Sequence, residues 1–84
     1  MKPSILVVED DVALCELLTW NLGAEGYEVR STGDGEEALL MVREQAPDAI
    51  ILDWMIEQVP GIEVCRQLRK DKETAKVPIL MLTA

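Results

Sequence analysis

Phenylalanine is missing from this chain, and two tryptophans and one tyrosine are the only other aromatics. A packed interior therefore has to be built from aliphatic side chains. Basic residues are scarce: eight Lys and Arg against sixteen Asp and Glu leave a formal net charge of -8. Such a surface repels phosphate backbones and anionic bilayers, which argues against direct nucleic-acid binding by this segment. No apolar run approaches the roughly 18 residues that a membrane helix needs. The start, Met1-Lys2-Pro3-Ser4, is too short and polar for a targeting segment. Cysteine is limited to Cys15 and Cys65, each inside a helical pattern and without metal-ligand spacing. Both are expected as reduced core thiols of a cytoplasmic protein. There is no internal repeat, low-complexity tract or long linker. What remains is an 84-residue chain, 49% hydrophobic, which suits one small globular domain.

Along that chain, strand and helix patterns alternate. Residues 4–8 read as a short buried strand. Residues 11–23 read as a helix with Leu14, Leu17, Leu18 and Leu22 on one inward stripe. Gly23 and Gly26 supply stop signals. Residues 27–30 alternate apolar and polar, as a half-exposed edge strand does. Asp34 with Glu37 makes an N-cap pair for a second helix that ends before Pro47 and buries Ala38, Met41 and Val42. Residues 49–53 form the third strand. Residues 61–70 form the third helix, with Ile62, Cys65 and Leu68 inward. Residues 78–82 form the fourth strand, with Pro78 at its start, where a lost N–H is tolerable. Repeated strand–helix–strand units imply an α/β fold with a parallel sheet and right-handed crossovers. Near-continuous apolar runs in strands one, three and four imply cover on both faces. Three helices are few for that task, so an apolar strand edge and a bare sheet patch are expected to favour self-association.

Three acids follow two of the buried runs: Glu9 and Asp10 after Ile5-Leu6-Val7-Val8, and Asp53 after Ala49-Ile50-Ile51-Leu52. In open parallel sheets, ligands bind beyond the carboxyl ends of the strands, where strand order reverses. Acids delivered there from two strands meet and repel, and a hard divalent cation is their natural neutraliser. The expectation is a Mg2+-assisted site in which an aspartate can act as nucleophile. Each residue also has a plainer role. Asp11 caps the first helix, Glu9 and Asp10 could share that task, and Asp53 alone could simply start a loop. Thr83 is a β-former whose hydroxyl could bond locally or reach an oxyanion on Asp53. Trp54 fits core or rim. Trp20 lies off the leucine stripe, with surface exposure as its simplest reading. Lys70, Lys72 and Lys76 belong to a solvated loop, and none ends a buried strand.

The segments Ile5-Leu6-Val7-Val8-Glu9-Asp10-Asp11, Leu52-Asp53-Trp54-Met55 and Pro78-Ile79-Leu80-Met81-Leu82-Thr83-Ala84 occur in this order and spacing. Together they resemble the receiver domain of bacterial two-component response regulators, most of all the OmpR/PhoB subfamily. The resemblance implies a flavodoxin-like (CheY-like) doubly wound parallel sheet, here with four strands in order 2-1-3-4 and three helices. Residues 1–84 would be the N-terminal part of a single receiver domain. A further strand, two helices and any effector domain would lie beyond Ala84. It implies that Asp53 accepts a phosphoryl group from a sensor histidine kinase. Glu9, Asp10, Asp53 and the backbone carbonyl of Met55 would hold Mg2+. Trp54, Thr83 and Ala84 would border the phosphoryl group, with the Thr83 hydroxyl as the switch.

Two departures stand out. Receivers usually carry proline four positions after the phosphorylated aspartate, and here Glu57 stands there, with Pro60-Gly61 later. The lysine that receivers pair with the phosphoryl group would lie beyond Ala84, so the 84 residues alone are expected to bind metal, to phosphorylate slowly or not at all, and to signal badly. Two other readings compete. A Mg2+-dependent phosphohydrolase of the haloacid-dehalogenase type needs an acid two residues after the nucleophile, where this chain has Met55. A half-domain that mainly self-associates and does not signal is the other.

Overall fold

The computed structural model describes residues 2–56 and 59–82. Four strands, β1 (Ser4–Val8), β2 (Glu28–Thr32), β3 (Ala49–Asp53) and β4 (Ile79–Leu82), alternate with α1 (Val12–Ala24), α2 (Gly35–Glu44) and α3 (Gly61–Lys70). All pairings are parallel and the order is β2-β1-β3-β4. The expected doubly wound sheet is present, with β2 on an edge.

Side-chain alternation sorts the strands between two faces. On one face Leu6, Val8, Ile50 and Leu52 join Ala38, Leu39 and Val42 of α2 and Val64 and Leu68 of α3 in the main core. Aliphatic packing thus replaces the missing aromatics. On the other face lie Ile5 and Val7, both buried, and α1 is the helix that packs against β1 and β2 there.

That asymmetry corrects the reading of α1. None of its residues is fully buried: Leu17 is 58% exposed, Leu14 is also exposed, and Leu18 and Leu22 are half-buried. The helix is apolar nearly all round, so a single inward stripe was the wrong pattern to expect. Leu80, on β4, is 62% exposed, and so is Trp20, at 78%. An apolar groove between α1 and β2 runs past Cys15, Thr19, Trp20 and Ser31. Cys15 therefore faces a groove and is no core thiol, whereas Cys65 packs half-buried against the core; both are free.

Capping explains the helix limits. Asp11 accepts the Leu14 N–H at 3.1 Å and starts α1 one residue later than the expected 11–23 span. Gly23 lies inside α1, and Gly26 is the stop, with φ of 97°, a left-handed turn that favours glycine. β2 runs two residues further than expected, to Thr32. Asp34 caps α2 by accepting the Glu36 N–H at 2.9 Å. Inside α2, Leu39 is buried and Met41 only half-buried, the reverse of the expected emphasis. In α3 the buried stripe is Gly61, Val64 and Leu68, while Ile62 is 48% exposed. A strict three-residue step drifts around a helix of 3.6 residues per turn, and mixing steps of three and four keeps the face. Beyond α3, Thr74 is buried and donates to the Leu68 carbonyl at 2.6 Å, and Arg69 donates to the carbonyls of Ala75 and Val77. Those bonds tie the lysine-bearing loop down before β4 while Lys70, Lys72 and Lys76 stay exposed.

Candidate metal and phosphoacceptor site

Register brings the acids together. Val8 of β1 stands opposite Leu52 of β3, so Glu9 and Asp53 emerge side by side one step later. Glu9 stays attached to the sheet: its N–H donates to the Thr32 carbonyl at 2.9 Å. Asp53 pairs with Leu82 of β4, and the Trp54 N–H donates to the Leu82 carbonyl at 2.9 Å. Each of Glu9, Asp10 and Asp53 offers a carboxylate oxygen, and these oxygens lie within 4.8 Å of one another. It is the one such group of potential metal ligands among the described residues.

The three environments differ. Glu9 is 5% exposed, Asp53 half-buried and Asp10 exposed. Burial pushes the Glu9 carboxyl above the ordinary glutamate range. The Asp11 N–H, donating to Glu9 Oε2 at 3.0 Å, opposes the rise, while Asp53 and Asp10 add to it. Asp53 Oδ1 accepts the Met55 N–H at 3.2 Å, so the loop-starting bond and the site role occur in one residue. Asp11 likewise serves twice, capping α1 and steadying Glu9.

Leu14, Met55 and Leu82 form an apolar wall beside Glu9, Asp10, Asp11 and Asp53. Leu14 and Leu82 were not foreseen from sequence; only the sheet register and the exit angle of α1 put them there. Trp54 is 49% exposed on the rim and borders a second hollow with Met55, Ile56 and Pro60. Thr83, Ala84 and Glu57 lie outside the described residues.

The donor set suits a hard cation: three carboxylates, no thiolate and no imidazole, clustered at the carboxyl ends of adjacent strands. The response regulator receiver domain model matches residues 5–84. This chain belongs to the response regulator receiver domain family. Among curated relatives of this receiver, the phosphate regulon transcriptional regulatory protein PhoB of Rhizobium meliloti (strain 1021) is 54% identical over the whole chain, which spans 37% of that protein. The alkaline phosphatase synthesis transcriptional regulatory protein PhoP of Bacillus subtilis (strain 168) is 49% identical, and the chain spans 34% of it. The match thus places the receiver in the OmpR/PhoB subfamily, and it spans little more than a third of these relatives' length. A response regulator structure from Chloroflexus aurantiacus J-10-fl superposes with a TM-score of 0.94 at 37% identity, covering 96% of this chain and 66% of that one. The receiver domain of a sensor histidine kinase from Pseudomonas aeruginosa PAO1 gives a TM-score of 0.96 at 31% identity, covering 100% of this chain and 69% of that one. That structure holds a magnesium ion coordinated in its active-site cleft.

Proposed function

We propose that this receiver is the phosphoacceptor of a two-component pathway, with Asp53 taking a phosphoryl group from a phosphohistidine on a sensor kinase. The observation that carries the reading is the convergence of Glu9, Asp10 and Asp53 at the ends of β1 and β3. An Asp53 carboxylate oxygen attacks phosphorus, the phosphorus–nitrogen bond breaks, and the released imidazole takes up a proton. The product is an acyl phosphate. Glu9, Asp10, Asp53 and the Met55 carbonyl would hold Mg2+, which when bound offsets negative charge on the phosphoryl oxygens. The Met55 N–H already orients the Asp53 carboxylate. In this reading Thr83 would carry the switch hydroxyl, Ala84 would leave room for it and Trp54 would border the phosphoryl group. Residues 1–84 then form the N-terminal part of one receiver unit. The added phosphate biases a two-state element that governs a separate DNA-binding domain in the cytoplasm. Support for that output comes from the relatives, which are named as transcriptional regulators.

The test is phosphorylation of the intact protein by a phosphohistidine or acyl-phosphate donor, read by mass spectrometry. Incorporation should require Mg2+ and vanish in Asp53→Asn; labelling that survives the substitution overturns the assignment. Hydrolysis of a generic phosphate ester would instead favour the phosphohydrolase. A second reading, self-association, is favoured by β4 on a sheet edge and by exposed Leu80.

A further inference from the structure

Gly61 opens α3 yet sits against the backbone of the acid site. A Cβ built on it would collide with the Asp53 carbonyl oxygen and lie 3.0 Å from both the Cα and the carbonyl oxygen of Trp54. The backbone angle there is not of the left-handed kind reserved for glycine. Space, and not conformational freedom, is therefore what excludes a side chain. The Gly61 N–H donates to the Trp54 carbonyl at 3.1 Å. Pro60, the N-cap of α3, makes no side-chain capping bond. A carbonyl of the phosphoacceptor loop thus receives the first N–H of the helix, and α3 is braced directly on the segment that carries Asp53 and Met55. A weaker counterpart lies across the site. A Cβ on Gly33 would come within 3.3 Å of Asp10 Cα and 3.4 Å of the Glu9 carbonyl oxygen, contacts a small backbone shift relieves.

We infer that Gly61 is a positioning residue: its bare Cα lets α3 press on the Asp53–Trp54 backbone and fixes the place at which the Asp53 carboxylate is offered to the metal and the phosphoryl donor. The inference rests on the acid-site reading above. Gly33 supports Glu9 and Asp10 in the same way but more loosely. Displacing the Asp53 backbone separates its carboxylate from those of Glu9 and Asp10, and sites of this kind tolerate little misplacement.

Calorimetric Mg2+ titration of the intact protein tests it, with urea midpoints measured alongside. Gly61→Ala should weaken Mg2+ binding by about tenfold or more, and a misplacement of that order is what such geometry implies. Gly33→Ala should weaken it less, and Gly23→Ala, where nothing lies within 4 Å, not at all. Leu68→Ala, in the buried far half of the same helix, controls for stability: it should lower the urea midpoint and leave Mg2+ affinity unchanged. If Gly61→Ala fails to fold, trimethylamine N-oxide repopulates the native state for the titration. Parent-like Mg2+ affinity in folded Gly61→Ala, or an equal loss in Leu68→Ala, overturns the positioning role while leaving the site intact. No Mg2+ uptake by the parent overturns the acid-site reading and this inference with it.

Discussion

Among the described residues, Glu9 is a buried acid, and burial pushes its carboxyl above the ordinary glutamate range. It is buried beside two other carboxylates, and the Asp11 N–H is the donor that answers it. Its folded-state proton affinity exceeds the unfolded one. Its contribution to stability is therefore fully present below the ordinary glutamate range and lost as pH rises through the raised value. In chelator at neutral pH, Glu9→Gln should melt above the parent, and the gap should close as pH falls into the acid range. With saturating Mg2+ the order should reverse, because the parent gains binding energy that the glutamine cannot supply. Thermal unfolding across pH, with and without metal, checks both signs. Asp11 has a simpler forecast. Removing its side-chain cap to α1 in Asp11→Ala should cost about 1 kcal/mol in urea unfolding and leave the metal site in place, because the bond to Glu9 comes from the backbone N–H that alanine keeps.

Among the elements, α3 and α1 differ in what they bury. Leu68→Ala should cost about 3 kcal/mol of stability, the usual range for truncating a buried leucine. Leu17→Ala on α1 should stay within about 0.5 kcal/mol, since its side chain is mostly in water. The same contrast explains what could be read before the fold was known. The ends of β3 and α3 were legible because apolar runs meet hard stops: Asp53 after Leu52, Pro60-Gly61 before the helix, and the charged 70–76 loop after it. The acid triad was legible because strand ends in parallel sheets converge. The inward face of α1 was not, since a helix apolar on every side carries no directional signal. Nor were Leu14 and Leu82 as walls of the site, or Gly61 as its brace, which depend on register and close approach that spacing alone does not encode.

At the scale of the whole molecule, the sheet is covered unevenly. The main core lies under α2 and α3, while Leu80 and Trp20 stay exposed. No helix among the described residues is long and apolar enough to cross a membrane. On the self-association reading, these exposed apolar side chains would draw copies of the 84-residue chain together against the repulsion of a net charge of -8. Sedimentation velocity should show concentration-dependent association that strengthens with salt and weakens in Leu80→Lys. A monomer unchanged by either would remove the self-association reading.

The charge that opposes association is partly concentrated in one pocket, and its response to metal decides the whole account. Isothermal titration with Mg2+ should show one saturable binding event per chain that disappears in Asp53→Ala and persists in Asp48→Ala, an acid outside the triad. Absence of uptake, or uptake indifferent to the loss of the Asp53 carboxylate, would contradict it.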